Sequence, residues 1–167
     1  MTGKTFKRIR NFVLLALAQV IIFSQIHLFG YATACIFIIF LLKLPRHTTR
    51  NETMIWAFLF GIVTDIVCNT PGIHSAAATA MAFSRKDILA TFTHKGLPDD
   101  IIPGVKTLKW GGYTVYAALC ISIFYALLFL LELFTVRHLS TLFISTGASV
   151  TLTMVFTVVA EFFSPNK

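Results

Sequence analysis

Residues 60–75, FGIVTDIVCNTPGIHS, place a single carboxylate, Asp65, inside an otherwise apolar run. The run stops at 69–72, NTPG, and a new apolar segment follows. Asn, Pro and Gly favour tight turns, because Pro presets one backbone angle and Gly adopts conformations that other residues avoid. The stretch therefore predicts two apolar helices joined by a short turn, with a carboxylate close to that turn.

Composition places these helices in a membrane. The 167 residues are 56% hydrophobic and only 13% charged, and the mean hydropathy is +0.79. A soluble domain needs a more polar surface than this composition supplies. We expect an all-α, polytopic membrane protein with a single integral membrane domain, 1–167. Six transmembrane helices are predicted, at approximately 12–29, 31–44, 54–68, 72–83, 113–134 and 140–163.

The predicted segments differ in length. The second, third and fourth are short for a hydrocarbon core about 30 Å thick, and the third and fourth either span the membrane fully or form a re-entrant hairpin. The first segment follows a basic start but has no small-residue cleavage site, so we interpret it as a spanning helix rather than as a removable signal. Gln19, near its middle, is predicted to make an interhelical hydrogen bond.

The distribution of basic residues predicts the orientation. With a cytoplasmic N-terminus, all of the 14 Lys and Arg residues except Arg137 fall on the cytoplasmic side, as the positive-inside rule requires. Both termini are therefore predicted to be cytoplasmic. The net charge of +7 is explained by this orientation and by contact with anionic membrane lipids, so no nucleic-acid partner is expected. Glu161 is assigned to an interfacial pair with Lys167.

Asp65 needs a partner, since an ionisable group within a membrane is costly. The predicted partners are the backbone N–H groups that open the next helix at Gly72, Ile73 and His74, because a helix N-terminus presents unpaired donors. The His74 side chain is a second candidate. In this interpretation Asp65 locks the third and fourth helices into a hairpin, and Gly61 lets a neighbouring helix come close. Contact with a partner protein, and ligand or proton handling, are the alternatives.

Small and hydroxyl-bearing residues mark the predicted helix contacts. In lipid, small side chains allow the close backbone approach on which helix association depends. The fourth segment contains SAAATAMA, which includes Ser75 and Thr79, and is predicted to be central. The sixth carries a row at four-residue spacing that includes Ser145, Ser149 and Thr153. This row is used either for packing inside the protein or as a groove for a partner's transmembrane helix.

The sequence lacks the residue clusters of membrane enzymes. Phosphotransfer on lipids needs several acidic residues around a divalent metal, whereas the one acidic pair, Asp99–Asp100, lies beside a proline in a predicted loop. The three cysteines are isolated and the five histidines are scattered, without the spacing of metal ligands. We expect no catalytic residues, no metal site and no cofactor. Loss of a transferase activity on Asp99→Asn or Asp100→Asn would revive the enzymatic alternative.

Several of these features resemble one bacterial family. The pattern GIVTDIVCNTPGIHSAAATA, with Gly61, Asp65, Gly72 and a small-residue helix after them, is similar to the central segment of the MreD family, the membrane component of the rod-shape and cell-elongation system. Gln19 in LALAQVII, the basic N-terminal tail and the short second segment ending in LKLPRH also resemble that family. The resemblance extends over most of the chain, with these four residues matched as motif positions.

The resemblance implies a noncatalytic scaffold in the bacterial plasma membrane that helps to control cell shape. Its expected partner is an MreC-like single-span membrane protein, and through it the MreB filament, RodA and a class B penicillin-binding protein of peptidoglycan synthesis. The family's bundle is similar to the substrate-binding subunits of energy-coupling-factor transporters, which implies a cavity with Asp65 near its rim. That similarity keeps a second function open, a small-molecule-binding subunit or carrier, because fold alone does not determine function.

Overall fold

Helices account for all of the regular structure in the described part of the chain. The computed structural model describes residues 35–93, 101–133 and 139–162, with side chains of the last stretch described from Ile144, and also Arg10, Val13, Leu14, Ala16, Leu17 and Gln19, which are helical. Five helices have defined bounds: α1 (Phe37–Leu42), α2 (Arg50–Cys68), α3 (Ile73–Phe92), α4 (Val105–Leu133) and α5 (Leu139–Phe162). The predicted all-α class is confirmed for these residues.

Three of the described helices are long and apolar enough to cross a membrane. They are Arg50–Cys68, Val105–Leu133 and the Ile144–Phe162 part of α5. Helix α3 has 20 residues, but its second half carries Arg85, Lys86 and Asp87. Membrane character is therefore supported by these three helices, while the six-span count and the transporter-like bundle stay predictions.

Helix boundaries differ most from prediction on either side of residues 94–100. The fourth helix does not end at residue 83 but continues to Phe92. The fifth begins at Val105, but non-helical backbone angles at Lys109, φ 59° and ψ 166°, separate its first turn from the long part of the helix, which begins close to the predicted residue 113. Helix α2 begins at Arg50 rather than at residue 54, where the Thr49 side chain accepts a hydrogen bond from the Glu52 N–H at 3.2 Å. Hydropathy marks the end of an apolar segment, whereas a helix continues wherever its polar side chains find partners or solvent.

The second predicted segment, 31–44, contains only a short helix in its described part. Helix α1 has six residues, all buried, and residues 31–34 lie outside the described part. The Phe37 ring stacks on Phe60 with centroids 5.6 Å apart and meets Phe124 edge-on at 5.7 Å. These contacts with α2 and α4 place α1 in the core. Within residues 35–44 the helix covers only Phe37–Leu42, so the prediction of one continuous helix is wrong for that part of 31–44.

Side chains from other parts of the chain satisfy the backbone groups at both ends of α1. Gln19 Oε1 accepts from the Ile36 N–H at 2.8 Å, and Thr153 Oγ1 lies 3.4 Å from the Cys35 N. At the other end, the Arg85 guanidinium donates to the carbonyls of Leu42 and Leu44. Within a membrane such partners must come from the protein, because lipid supplies none.

Contacts between helix ends define two ends of the bundle. The turn end is formed by residues 69–72. At the opposite end Arg50 Nη2 lies 2.6 Å from Asp87 Oδ1, and the Arg46 N–H donates to the Ile101 carbonyl at 3.0 Å. We call this the basic end, because the described Lys and Arg residues beyond Cys35 all lie on segments that meet there. They are Lys43, Arg46, Arg50, Arg85, Lys86, Lys106 and Lys109.

Candidate functional site

The Asp65 carboxylate joins the end of α2 to the beginning of α3. Oδ1 accepts from the His74 N–H at 2.9 Å and from the Thr70 hydroxyl at 2.7 Å, and Oδ2 accepts from the Ser75 N–H at 3.0 Å. His74 Nδ1 lies 3.1 Å from both Asp65 Oδ1 and Thr70 Oγ1. The carboxylate therefore takes up donors that the first turn of α3 would otherwise leave unpaired, which compensates for its burial.

The turn itself explains why the donors differ from those predicted. Asn69 and Gly72 adopt left-handed conformations, with φ of 53° and 79° respectively. Gly72 is the residue that caps α3, so the first helical N–H groups that reach the carboxylate belong to His74 and Ser75. The prediction that Gly72 and Ile73 donate to Asp65 is wrong, and Ser75 donates instead. The predicted His74 is a partner through both its backbone and its ring.

Gly61 lies against α3 directly opposite Ser75. A Cβ on Gly61 would be 2.2 Å from the Ser75 Cα and 2.7 Å from the Ser75 N, which no side chain tolerates. The close approach expected at Gly61 is thus a contact between the two helices of this hairpin. The structure brings Gly61, Asp65, Gly72 and His74 together at the turn end, whereas Gln19 lies elsewhere, against the beginning of α1.

An open depression of about 550 Å³ lies beside the turn, with Asp65, Thr70 and Ser75 among its lining residues. Asp65 is only 7% exposed, and both of its oxygens already accept hydrogen bonds from the protein. A solute site needs several convergent polar groups that are available to the solute. The geometry at Asp65 therefore favours a structural use of the carboxylate over ligand binding.

A second depression, the lateral groove, runs along α3 between α2 and α4 and has a volume of about 790 Å³. Ala76 and Ala80, one helical turn apart, are exposed on its floor. Thr79 also lines it, and its hydroxyl donates to the Ser75 carbonyl at 2.7 Å, so that this polar group is paired within α3. The larger lining residues are Met54 and Phe58 of α2, Phe83 of α3 and Leu127 of α4.

The hydroxyl row of α5 faces the protein interior. Thr153 and Ser149 are 1% and 2% exposed, and Thr153 Oγ1 lies 2.7 Å from the Tyr125 hydroxyl. Thr157 donates to the Thr153 carbonyl at 2.7 Å, and Ser145 is half-buried. Of the two uses predicted for this row, internal packing is the one observed at Ser149 and Thr153. The open groove lies on α3 instead.

Sequence reasoning missed a polar cluster at the basic end. Glu161 Oε2 lies 3.0 Å from Lys43 Nζ, and Glu161 Oε1 accepts from the Val105 N–H at 3.0 Å. The predicted partner of Glu161, Lys167, lies outside the described residues. A signal was present, because Glu161 continues the four-residue spacing of Thr153 and Thr157 and so shares their inward face.

Comparison with protein-family models, with curated proteins and with solved structures returns no match to this chain.

Proposed function

We propose that this protein is a noncatalytic membrane scaffold of the MreD type, which binds a transmembrane helix of an MreC-like single-span partner in the lateral groove. Through that partner it would couple MreB filaments to RodA and a class B penicillin-binding protein, and so control cell shape. In this proposal the chain is a multi-pass protein of the bacterial plasma membrane, with six spans and both termini in the cytoplasm. The resemblance of residues 61–80 to the MreD central segment supports the assignment.

The observation that carries the proposal is the shape of the lateral groove. Ala76 and Ala80 leave the α3 backbone accessible, and the larger side chains of Phe58 and Leu127 stand on either side. Helices associate in lipid through close packing on small residues, because lipid tails are as apolar as the helices themselves. A groove with small residues along α3 and larger apolar side chains beside them fits one further helix better than it fits disordered acyl chains.

Charge at one end of the groove favours a helix of defined orientation. Asp87 continues the stripe of Ala76, Ala80 and Phe83 and has a side chain that is 65% exposed. It lies at the basic end, which is cytoplasmic in the proposed topology. A single-span partner with a cytoplasmic N-terminus carries Lys or Arg just inside the membrane. In this proposal that cation would share the Asp87 carboxylate with Arg50, whose Nη2 already lies 2.6 Å from Asp87 Oδ1, while the apolar part of the helix follows the groove.

The length of the groove is consistent with this occupant. Its lining residues extend from Gly72 to Ser84 on α3, which at 1.5 Å per residue is about 18 Å along the helix. That distance is more than half of a hydrocarbon core about 30 Å thick. A partner helix would therefore contact α3 along most of its apolar length.

The test is co-purification of a tagged full-length chain with MreC-like protein from gently solubilised membranes. Ala80→Phe, which fills the groove floor, is expected to abolish the association. Ala148→Phe is the matched control, because Ala148 is also exposed but lies on α5. Equal association of both variants with the partner would reject the groove as the docking site.

The second function, a small-molecule-binding subunit, makes a different prediction for the same preparation. The purified chain would then carry a bound metabolite and no single-span partner. Release of a stoichiometric metabolite on denaturation, detected by mass spectrometry, would overturn the scaffold proposal.

A further inference from the structure

An ion pair crosses from α2 to α3 at the basic end of the lateral groove. Met54 and Phe58 line the groove on α2. Arg50 precedes them at the same four-residue spacing, so it shares their face of the helix. Arg50 Nη2 lies 2.6 Å from Asp87 Oδ1 on α3. The pair therefore connects the two helices close to Phe83, where the groove ends.

Phe83 and Asp87, one helical turn apart, together hold the guanidinium group of Arg50. The Arg50 Cζ lies 4.4 Å from the centroid of the Phe83 ring, while Nη2 donates to the Asp87 carboxylate. An aromatic face and a carboxylate are the two groups that attract a planar cation. We call these two residues the guanidinium site. Phe83 also lines the groove and is 48% exposed, so a helix in the groove reaches this site.

Arg50 is weakly held in the guanidinium site. It is the first residue of α2, where the partial positive charge of the helix N-terminus disfavours a cation. The side chains of Arg50 and Asp87 are 33% and 65% exposed, and exposed ion pairs contribute little to stability. In the proposed topology a released Arg50 would meet the anionic headgroups of the cytoplasmic leaflet, which attract it. Its displacement therefore requires little free energy.

A partner cation that approaches Asp87 meets Arg50 at the same carboxylate. Two cations at one carboxylate repel each other, which reduces the attraction of Asp87 for the partner. Replacement of Arg50 by the partner's cation removes this repulsion. It also leaves both Asp87 and the Phe83 ring in contact with a cation, as they are now.

We propose that the lateral groove recognises an arginine of the partner helix, which displaces Arg50 from Asp87 and takes its place over the Phe83 ring. The inference rests on the proposed function, because it concerns the same groove and the same partner. Arginine fits the site better than lysine, since its planar group both stacks on a ring and binds a carboxylate.

The spacing on α3 also places this arginine along the partner helix. Asp87 lies seven residues beyond Ala80, which is about 10 Å at 1.5 Å per residue. The recognised arginine therefore lies about two helical turns toward the cytoplasm from the point where the partner helix crosses Ala80.

The experiment measures the dissociation constant between the tagged full-length chain and its single-span partner in detergent, with a fluorescent label on the partner. Arg50→Gln empties the site and is expected to strengthen binding about fivefold, the equivalent of one exposed ion pair. Asp87→Asn removes the carboxylate and is expected to weaken binding about fivefold. Because both effects depend on one carboxylate, Arg50→Gln is expected to change the affinity of the Asp87→Asn chain less than about twofold.

The recognised arginine is located by replacing each arginine at the cytoplasmic end of the partner helix with glutamine in turn. One replacement is expected to weaken binding to the native chain about fivefold and to leave binding to the Asp87→Asn chain unchanged. If none of them weakens binding, the proposal is wrong.

Lys86→Gln is the matched control, because it removes an exposed cation next to Asp87 in sequence but outside the guanidinium site. It is expected to leave the affinity unchanged. The proposal is overturned by equal strengthening in Arg50→Gln and Lys86→Gln, by equal strengthening with and without the Asp87 carboxylate, or by unchanged or weaker binding of Arg50→Gln.

Ala80→Phe separates this inference from the function on which it rests. If Ala80→Phe abolishes binding while Arg50→Gln leaves it unchanged, the groove remains the docking site and only the exchange of arginines is rejected. If Ala80→Phe binds the partner as the native chain does, the groove and the exchange are both rejected.

Discussion

Gly61 and Ser75 touch backbone to backbone across the hairpin, since a Cβ at Gly61 would lie 2.2 Å from the Ser75 Cα. The contact is maintained from the same helix, because the Asp65 carboxylate, one turn beyond Gly61, accepts from the Ser75 N–H at 3.0 Å. Close approach and hydrogen bonding therefore act on the same point of α3.

Gly61→Ala is expected to destabilise the protein. The added methyl group meets Ser75 backbone atoms, which cannot move without separating α2 from α3, and overpacking of this kind typically costs about 1–3 kcal/mol. The measurement is the free energy of unfolding in detergent. Gly147→Ala is the control, because nothing lies within 4 Å of a Cβ there. A Gly61→Ala protein as stable as the native one would show that the hairpin is less tightly packed.

Asp65→Ala is expected to lower the free energy of unfolding by about 1.5–3 kcal/mol or more, since hydrogen bonds to a charged group are lost and buried N–H donors remain unpaired. Asp87→Asn, at an exposed ion pair with Arg50, is expected to change stability by about 1 kcal/mol or less. Thermal unfolding of both variants checks this difference. If Asp65→Ala leaves stability unchanged but abolishes association with the MreC-like partner, Asp65 contacts that partner instead of stabilising the hairpin.

Arg85→Gln is expected to destabilise the core although the residue is charged. Arg85 is 2% exposed and donates to the Leu42 and Leu44 carbonyls. Its loss leaves the Leu44 carbonyl without this donor, at about 1–3 kcal/mol, while the Leu42 carbonyl keeps the Tyr116 hydroxyl at 3.4 Å. The neighbouring Lys86 is exposed, and Lys86→Gln is expected to have little effect. Chemical denaturation in detergent distinguishes the two variants. Equal denaturation midpoints for Arg85→Gln and Lys86→Gln would contradict a stabilising role of the Arg85 hydrogen bonds to α1.

Orientation is tested with single cysteines in a chain from which Cys35, Cys68 and Cys120 have been removed. Pro71 and Asn51 are both exposed, at the turn end and the basic end respectively. With cytoplasmic termini, Pro71→Cys should react with a membrane-impermeant maleimide added to intact cells. Asn51→Cys should react only after the membrane is opened. The reverse pattern would overturn the proposed topology.

Local chemistry explains which parts of the site were predictable. The turn at 69–72 and the role of Asp65 depend on residues within a few positions of one another, so their interpretation as a hairpin followed from residues 60–75 alone. The predicted His74 N–H is a donor, but the second backbone donor is Ser75 instead of Gly72 or Ile73, because the left-handed Gly72 delays the beginning of α3.

Contacts between distant segments were not predictable in the same way. Glu161 was assigned to the nearby Lys167, which lies outside the described residues; among the described residues it pairs with Lys43, and nothing in the local sequence identifies that lysine. The predicted end of the fourth helix at residue 83 followed from the charges that come next, but Arg85 turns inward to the carbonyls at the end of α1. A prediction from hydropathy ends an apolar helix at the first charged residues, because it contains no information about distant groups that would pair with them.

The short α1 has a consequence for the order in which the chain assembles. An isolated helix of six residues is far below the length of about 12–15 at which helices persist in water, and the groups that complete it arrive later during synthesis. Arg85 emerges from the ribosome after α1, and Thr153 emerges after Arg85. The contact between Thr153 and the beginning of α1 therefore forms only after α5 has been synthesised, although the sequence of α1 is made earlier.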